Sequence, residues 1–355
     1  MPDSLVFIVP GDPTQRTGGY LYDARIVSEL RQLGSEVQVV GLEGRFPNPC
    51  ARARSAMDRC LGAVPDGSAV VIDGLALGGL PELAEAHGPR LDITALVHHP
   101  LADETGIEAV QAEAFLASER RALAACRRVI VTSRFTARRL KALKLLSGDP
   151  FVVEPGVAAA RPAPAASAMA DGQDPTGEFK LLCVASLTPR KGHAVLFSAL
   201  EPLRQDNWQL SIVGSESRDP EHALKLKQQL ERSGKRHRIS WLGELDEPAL
   251  DRAYAEAGLC VVPSLYEGYG MVVTEALARG LPLVSSDGGA LADTVPDDCA
   301  LKVEAGDIDA LSSALAAFLD DSRLRQRLSQ AALARRTTLP SWPDAGRAFA
   351  QALDS

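Results

Sequence analysis

Residues 260–290, CVVPSLYEGYGMVVTEALARGLPLVSSDGGA, predict a strand, a glycine-containing loop and a helix in immediate succession. The apolar run 259–262 ends at Pro263, which is typical of a buried strand that leads into a turn. The apolar residues within 271–279 favour a helix that Gly280 would close. This succession is the repeating unit of α/β domains with a parallel sheet.

The same alternation of short apolar runs and helical segments extends over most of the chain. Helices are predicted at 20–33 and 108–125 in the first half, and at 222–232 and 249–257 in the second. The alternation predicts an α/β fold with two doubly wound, Rossmann-like domains. The predicted strands are 5–9, 36–41, 69–72, 93–97, 129–132 and 151–153, followed by 180–185, 209–213, 239–242, 259–262, 281–285 and 300–303.

A segment that shows neither the alternation of a strand nor the periodicity of a helix separates the two series of strands. Residues 158–177, AAARPAPAASAMADGQDPTG, are rich in Ala, Pro and Gly and predict a linker. The first domain is predicted at 1–157 together with about 340–355, because the last helix, 344–353, is expected to pack back on it. The second domain is predicted at 178–339. The carboxyl ends of the two sheets would face a central cleft, the expected ligand site of such folds.

The composition is that of a folded protein. The 355 residues are 46% apolar and 24% charged, and no run of 18 apolar residues is present. The first residues, MPDSLVFIVPGD, lack the features of a signal peptide, so we expect a cytoplasmic protein. The six cysteines show no CxxC spacing, and Cys183 and Cys260 fall in apolar strands. We therefore expect buried, reduced thiols and neither a zinc site nor a disulfide framework.

The net charge of -8 and a pI near 5.4 argue against general binding to nucleic acid. The local charge is positive in the stretch 120–144, which carries nine Arg or Lys residues. Such a stretch could form a basic face toward an anionic acceptor or membrane surface, with peripheral membrane association. A solvated helix surface is the more ordinary interpretation.

Two adjacent cations follow the first strand of the second domain. Arg190 and Lys191 lie in the segment TPRKG, where Thr188 suits the N-cap and Pro189 the first turn of a helix at 193–203. Cations at a helix N-terminus oppose its dipole, and a bound anion would reverse that effect. We interpret the pair as a clamp for a phosphate or diphosphate, with two exposed basic residues as the alternative.

Two glutamates flank the start of the helix at 271–279. Glu275 lies within it among apolar residues, where a carboxylate needs hydroxyl or N–H partners to offset its desolvation. The hydroxyls of a ribose would serve, as would protein groups. Glu267, in the glycine loop, is interpreted as an acceptor of hydrogen bonds from a bound sugar or, alternatively, as a charge at the helix N-terminus.

Asp307 and Asp309 match the DxD pattern of metal-dependent transferases. They stand at the start of a helix predicted at 310–319, where a helix N-cap explains them better. We therefore expect no metal ion.

At this point the sequence resembles a known family. PSLYEGYGMVVTEALARGLPLV, residues 263–284, resembles the E-x7-E motif of the retaining glycosyltransferases of family 4, which have the GT-B fold. SLTPRKG, residues 186–192, resembles the segment with which that family binds a diphosphate. VEPGV at 153–157 and VEAGDIDALSSAL at 303–315 also stand in a family-like order. The resemblance covers nearly the whole chain and is strongest in the second domain.

The resemblance implies a role for each matching residue. Glu275 would hold the ribose of a nucleotide-sugar, Glu267 would contact the donor sugar, and Arg190 with Lys191 would hold the diphosphate. The loop after Gly243 would border the base. The backbone around the glycine loop would line the sugar pocket, and two glycines after the first strand would let the backbone approach the donor without a crowding Cβ. These further donor-binding residues are Gly268, Tyr269, Gly270 and Met271, with Gly18 and Gly19 in the first domain.

His98 and His99 end the fourth strand of the first domain, in LVHHPLADETG. The family has one histidine here near the donor sugar, and comparison with an H-x-L-A pattern slightly favours His99. A structural histidine is the alternative for either one.

The predicted function is a metal-independent, retaining glycosyltransferase that moves a sugar from a UDP- or GDP-sugar to an unidentified acceptor hydroxyl, with no cofactor. For this family, the resemblance implies front-face transfer in which the departing phosphate accepts the proton of the acceptor. The alternatives are a GT-B sugar-nucleotide epimerase or phosphorylase and, in another class, a non-catalytic nucleotide-sugar sensor. A product assay would separate them.

Overall fold

The computed structural model describes residues 2–104, 106–173 and 178–355. The chain divides into two compact units, Met1–Gly156 with Pro340–Ser355, and Val157–Leu339. Each unit contains one six-stranded sheet in which every neighbouring pair of strands is parallel. The expectation of two Rossmann-like α/β domains is therefore confirmed.

The sheet of the first unit has the strand order β2-β1-β3-β4-β5-β6. Its central strands are short runs of apolar residues that are buried on both faces, as parallel strands covered by helices require. The elements are β1 Ser4–Pro10, α1 Gly18–Gln32, β2 Glu36–Leu42, α2 Ala51–Ala63, β3 Ala69–Asp73, α3 Gly74–Leu77, α4 Pro81–His87, β4 Asp92–Val97, α5 Ala109–Ala124, β5 Arg128–Val131, α6 Arg134–Ala142 and β6 Phe151–Val152.

The C-terminal helix belongs to the first unit. This helix, Trp342–Leu353, packs against α1, where a Cβ on Gly346 would overlap the side chain of Glu29. The predicted return of the last helix is confirmed, although it starts two residues earlier than expected. Ser341 caps it with a reciprocal pair of hydrogen bonds, and Pro343 is accommodated in the first turn, which needs no N–H donor.

The sheet of the second unit has the order β12-β11-β10-β7-β8-β9. Within the described residues, the twelve strands fall within about two residues of their predicted positions. The elements are α7 Pro164–Ala170, β7 Phe179–Val184, α8 His193–Leu200, β8 Trp208–Val213, α9 Pro220–Glu231, β9 Ile239–Gly243, α10 Glu247–Glu256, β10 Leu259–Val262, α11 Met271–Ala278, β11 Leu283–Ser286, α12 Leu291–Thr294, β12 Ala300–Val303, α13 Ile308–Asp320 and α14 Ser322–Arg335, and the C-terminal helix described above is α15.

The predicted linker is wrong for much of its length. Residues 157–173 belong to the second unit, and α7 lies within them and packs against α14. Ala166 and Met169 are buried there, and Gln330 donates a hydrogen bond of 2.8 Å to the carbonyl of Ala170. A helix of seven residues, most of them small, is too short to show a helical period in the sequence. Residues 174–177 lie outside the described residues.

All six cysteines lie in described segments and are free, and Cys183 and Cys260 are buried as predicted. Within residues 2–104, 106–173 and 178–355, no helix is both long and apolar enough to cross a bilayer.

Candidate active site

The turn that carries the two cations follows β7 directly. Residues Pro189–Lys191 form one 3-10 turn, and α8 begins only at His193. Gly192 adopts a left-handed φ of 69°, and a Cβ on it would overlap the carbonyl oxygen of Pro263. Thr188 stands at the N-cap position of this 3-10 turn and Pro189 is its first residue, but the Thr188 side chain makes no capping hydrogen bond, and the N-cap of α8 itself is Gly192. The glycine interrupts the helix because it must pass close to the chain that leaves β10.

Arg190 and Lys191 both contact the carboxylate of Glu267. Arg190 Nη1 lies 3.2 Å from Glu267 Oε2, and Lys191 Nζ lies 2.5 Å from Glu267 Oε1. The side chain of Glu267 is 8% exposed, whereas those of the two cations are 22% and 20% exposed. Ser264 donates a further hydrogen bond of 2.8 Å to Glu267 Oε1. The structure thus brings together three of the predicted site residues in one partly buried cluster.

The cluster keeps its carboxylate charged. Burial alone would raise the pKa of Glu267, but Lys191 and Arg190 outweigh it and lower the pKa to about 2. Burial lowers the pKa of Lys191, and Glu267 offsets part of that effect. Two cations around one carboxylate leave a net charge of about +1 when all three are ionised. A site of this kind has electrostatic capacity for an added anion.

The backbone fixes the position of Glu267. Leu265 donates a hydrogen bond of 2.7 Å to the carbonyl of Arg190, and Glu267 forms a parallel bridge with Gly289. A Cβ on Gly288 would overlap the carbonyl of Leu265, and one on Gly289 would lie 2.5 Å from the carbonyl oxygen of Glu267. Sequence reasoning missed this function of the two glycines. Their signal is a Gly-Gly pair one residue after the end of a strand.

Glu275 lies on α11, and a protein group satisfies part of its hydrogen-bonding capacity. Tyr254, which is fully buried on α10, donates a hydrogen bond of 2.9 Å to Glu275 Oε2. The guanidinium of Arg279 lies 4.3 Å from the centre of the Tyr254 ring and also donates to the carbonyl of Glu275. The sequence indicated that Glu275 needs partners, and Tyr254 is one that it did not identify.

The predicted donor-binding glycines of the second unit lie at the ends of elements. Gly270 has a left-handed φ of 91° and directly precedes α11, whose first residue is Met271. A Cβ on Gly270 would lie 2.7 Å from the side chain of Leu291. Gly243 ends β9 with a φ of 69°. Gly268 and Tyr269 lie in the loop between Glu267 and this helix, and the donor contacts of all these residues stay predictions.

Gly18 and Gly19, which the sequence places before a helix predicted at 20–33, are the first two residues of α1. A Cβ on Gly18 would meet no described heavy atom within 4 Å. A Cβ on Gly19 would stand 3.5 Å from the ring of His98, an ordinary contact distance. The described protein atoms therefore do not require glycine at either position, and crowding by a donor stays a prediction.

His98 lies between two buried carboxylates of the first unit. Its Nε2 is 3.1 Å from Asp23 Oδ1 on α1 and 3.6 Å from Asp73 Oδ2 at the end of β3. Burial lowers the pKa of His98, but Asp23 and Asp73 outweigh it and raise the pKa to about 9. Burial and the charge of Asp23 raise the pKa of Asp73 to about 7. Sequence reasoning missed both aspartates.

The second histidine has a different environment. His99 Nε2 lies 3.2 Å from Glu104 Oε2, in the loop that follows β4. The two neighbouring rings thus have separate carboxylate partners. Of the two rings, that of His98 is the one that a Cβ on Gly19 would approach, whereas the sequence slightly favoured His99.

Two groups bear on metal binding. Asp307 accepts a hydrogen bond of 2.9 Å from the backbone N–H of Ala310, so its predicted function as an N-cap is confirmed. Among the described residues, ligand atoms of Asp23, Asp73 and His98 lie within 4.8 Å of one another, which is close enough to share a metal ion.

The basic stretch 120–144 is largely paired within the first unit. Several of its cations contact carboxylates, and Arg120 donates to the carbonyl of Lys144 at 2.8 Å. These internal pairs reduce the positive charge that the stretch presents to a surface. The pairs are Arg121–Glu85, Arg127–Asp92, Arg128–Asp92, Arg134–Glu154, Arg139–Asp103 and Lys141–Asp149.

Known proteins are similar to this chain mainly in the second unit. Residues 167–335 match the family described as Glycosyl transferases group 1. The MMP alpha-(1->4)-mannosyltransferase of Mycolicibacterium hassiacum is 28% identical over 77% of this chain and 67% of its own length. The lipopolysaccharide core biosynthesis mannosyltransferase LpsB of Rhizobium meliloti is 33% identical over 45% of this chain, and the match spans 46% of that relative.

Solved structures match the whole chain. Sucrose-phosphate synthase from Thermosynechococcus elongatus has a TM-score of 0.82 at 21% identity and covers 99% of this chain and 98% of its own. Anabaena HepE in complex with UDP-glucose has a TM-score of 0.76 at 15% identity and covers 99% of both chains. These likenesses establish the GT-B fold.

Proposed function

We propose that this GT-B glycosyltransferase is a retaining, metal-independent enzyme that moves a hexose from a nucleoside diphosphate sugar to an acceptor hydroxyl. The observation that carries the proposal is the buried cluster of Arg190, Lys191 and Glu267. It follows the carboxyl ends of β7 and β10, the edge at which open α/β sheets bind ligands.

The cluster has the charge and the donors for a diphosphate. Arg190 has five N–H donors and Lys191 has three, so each can hold Glu267 and still donate to an anion. Negative charge develops on the leaving diphosphate during transfer, and fixed cations stabilise it without reorganising. Cations in this position support metal independence, because they supply the charge stabilisation that a divalent ion gives in metal-dependent enzymes.

The other donor contacts follow from the same placement. Glu275 would accept hydrogen bonds from the ribose, and the loop after Gly243 would border the base. Glu267 and the backbone of 268–271 would contact the sugar. Two relatives are named mannosyltransferases, and HepE is described with UDP-glucose, which supports UDP- or GDP-hexoses as the donors to test first.

The state of Glu267 bears on the stereochemistry. A carboxylate nucleophile needs a free oxygen near the reacting carbon, and both oxygens of Glu267 contact cations. This arrangement argues against a covalent intermediate on Glu267. The retention that the family resemblance implies would then proceed by front-face transfer, in which the departing phosphate oxygen accepts the proton of the attacking hydroxyl as the new glycosidic bond forms. Catalytic roles for His98 and His99 stay predictions.

A donor screen followed by a product assay tests the proposal. Thermal shifts would be measured with UDP, GDP, ADP and their hexoses, since a ligand at 100 times its Kd stabilises by about 2.7 kcal/mol. The best donor would then be incubated with candidate acceptors, with NMR of the product anomer. We expect a retained glycoside. An isomerised sugar nucleotide would indicate an epimerase, phosphate-dependent cleavage a phosphorylase, and binding without turnover a sensor.

Contact with an anionic membrane surface is a separate proposal, together with a cytoplasmic location. It rests on the basic residues of α6, of which Arg139 and Lys141 already contact carboxylates. We therefore expect weak, salt-sensitive binding to vesicles with anionic lipid, reduced in the variant Arg138→Ala, Arg139→Ala, Lys141→Ala. Equal binding of wild type and variant in flotation assays would remove this proposal.

A further inference from the structure

A fully buried histidine directly follows the turn that carries the two cations of the second unit. His193 is the first residue of α8, and its side chain has no solvent exposure. Among the residues that the structure describes, neither Nδ1 nor Nε2 of His193 has a hydrogen-bond partner, although both atoms are closed off from solvent. A neutral imidazole has one N–H donor and one acceptor, so either tautomer leaves both unmet.

A second histidine has an unmet nitrogen on the neighbouring helix. His222 lies in the first turn of α9, where its backbone N–H donates to the carboxylate of Asp219 at 2.9 Å. The residue is half-buried, but its Nε2 is closed off from solvent without a hydrogen-bond partner in the described part of the chain. α9 packs against α8, and Gln229 donates hydrogen bonds of 3.1 and 3.2 Å to the carbonyl of Ala194 and the hydroxyl of Ser198.

Burial keeps the imidazole of His193 uncharged. It lowers the pKa of His193 to about 3, and the positive charges of Lys191 and of a protonated His222 act in the same direction. His222 is therefore close enough for its charge to act on His193. Because the His193 ring is neutral, the positive charge of the turn stays on Arg190 and Lys191.

Internal water suits these nitrogens better than a metal ion does. Native proteins meet nearly all buried polar groups with a protein partner or with ordered water. Nδ1 and Nε2 of one imidazole point in different directions, so one water molecule cannot contact both. Among the described residues, the one trio of metal-type ligand atoms within 4.8 Å of one another is that of Asp23, Asp73 and His98 in the first unit. Two imidazoles alone would leave a metal ion without the third protein ligand that zinc sites have.

We infer that His193 and His222 hold a pair of internal water molecules, and that His193, fixed by this water, positions Lys191. The inference rests on the proposed glycosyl transfer for the role of Lys191 at the diphosphate, but the water can be detected without it. His193 is a positioning residue in this arrangement, because it is closed off from the solvent through which a substrate arrives and acts through Lys191.

The backbone between the two residues passes the position of one to the other. Gly192 donates a hydrogen bond of 3.2 Å to the carbonyl of Pro189, and its own carbonyl accepts one of 3.0 Å from Leu196 in α8. The 3-10 turn and the helix are thus joined through a single residue. A shift of His193 would therefore displace Lys191, whose Nζ lies 2.5 Å from the carboxylate of Glu267.

NMR of the protein labelled with 15N-histidine tests for the water directly. The ring signals would be assigned with His193→Gln and His222→Gln. We expect His193 to stay neutral from about pH 5 to 8, and its ring N–H to exchange slowly and show a nuclear Overhauser effect to long-lived water. His222→Leu removes the second ring and should weaken this effect. His237→Leu, at an exposed histidine of the same unit, is the control and should leave the His193 signals unchanged.

Three NMR results would overturn the inference. The first is a His193 ring N–H without any Overhauser effect to long-lived water. The second is a His193 that titrates near its ordinary value of about 6.5, because its ring would then be open to solvent. The third is binding of Zn²⁺ at micromolar concentration that His222→Leu abolishes, because the two rings would then hold a metal ion and not water.

A double-mutant cycle separates positioning from a merely structural effect. With the best donor, His193→Leu should lower kcat/KM by about threefold to tenfold, and the double variant with Lys191→Met should be no slower than Lys191→Met alone. His193→Gln keeps a donor and an acceptor for water and should retain most of the activity. His222→Leu replaces His193→Leu in the cycle if the latter fails to fold, and His237→Leu is the activity control.

Losses that multiply in the double variant would contradict positioning, as would equal losses in His193→Gln and His193→Leu. Absence of any transfer in wild type would refute the proposed function. The NMR result would then decide whether the two histidines hold water, and the same cycle measured by calorimetry with UDP and GDP would decide whether His193 acts through Lys191.

Discussion

The two units each place a charged cluster at the carboxyl edge of a parallel sheet, and the two clusters have opposite composition. In the second unit two cations surround one carboxylate, Glu267. In the first unit two carboxylates surround one imidazole, His98. The cluster of the second unit has a surplus of positive charge, which suits a diphosphate. In the cluster of the first unit, the two carboxylates raise the pKa of His98, so that its imidazole keeps its proton to higher pH. The same kind of sheet edge thus carries a cluster with surplus positive charge in one unit, and in the other a cluster in which two carboxylates raise the pKa of a histidine.

The largest expected effect comes from removing the carboxylate of the second cluster. Glu267→Gln leaves two partly buried cations without their partner, and we expect a loss of about 3 kcal/mol in the free energy of unfolding of the second unit. Urea unfolding followed by the fluorescence of Trp208 and Trp241, in a Trp342→Phe background, would measure it. Glu221→Gln, at an exposed i,i+4 pair with Lys225, is the control and should cost about 0.5 kcal/mol or less. Equal losses would show that Glu267 is not buried as an ion pair.

Removing a cation of the same cluster should affect transfer more than stability. Lys191→Met is expected to lower kcat/KM for the donor by about tenfold or more, which corresponds to about 1.4 kcal/mol of lost transition-state stabilisation. Lys180→Met, at an exposed pair with Glu256 in the same unit, provides the matched control. Wild-type kinetics in the Lys191 variant would remove the diphosphate assignment.

The clusters should also respond to pH in opposite directions. The pKa of Glu267 is lowered to about 2, so its contribution to stability is present above the unfolded value near 4.5 and is lost as pH falls toward 2. The pKa of His98 is raised to about 9, so its contribution is complete below about 6.5 and is lost as pH rises through 9.

Unfolding free energies as a function of pH would test this pair of signs. The difference between wild type and Glu267→Gln should shrink on the acid side, and the difference between wild type and His98→Gln on the alkaline side. Differences that do not depend on pH would show that neither charge state is linked to folding.

The smallest expected effect concerns one hydroxyl in each unit. Tyr254→Phe removes the donor to Glu275, and Tyr22→Phe removes a buried hydrogen bond of 2.9 Å to the carbonyl of Val153. Each should cost about 1 kcal/mol of stability. Only Tyr254→Phe is expected to change nucleotide affinity, measured by calorimetry with UDP and GDP. A similar change in both variants would mean that Glu275 is not part of the nucleotide site.

The strands and the pair of adjacent cations could be predicted from the sequence, and the reason is physical. Fully buried parallel strands are short apolar runs whatever their neighbours, and Arg190 and Lys191 are adjacent in the chain. The start of α8 at His193 was predicted as well, but the separate 3-10 turn before it was not, because Gly192 takes a left-handed conformation where it passes the carbonyl of Pro263. That contact exists only after β7 and β10 have paired.

The first-unit cluster was harder to predict because its members are single residues on different elements. Asp23, Asp73 and His98 are separated by tens of residues, and no motif joins them. The order of strands would have indicated one of them, since β3 and β4 are neighbours and their carboxyl ends meet at Asp73 and His98. The position of the Asp23 side chain depends on how α1 is rotated about its axis, and residue spacing alone does not determine this rotation.

The backbone contacts around Glu267 have a consequence for engineering. Arg190 accepts a hydrogen bond from Leu265 through its carbonyl, and Glu267 is bridged to Gly289, so the charges share one frame built from three neighbouring strand ends. All of these contacts lie within residues 157–339. A chimera that transplants this block as a whole into another GT-B scaffold would carry the spacing of its charges with it, whereas exchange of single loops would separate each charge from the backbone that sets its position.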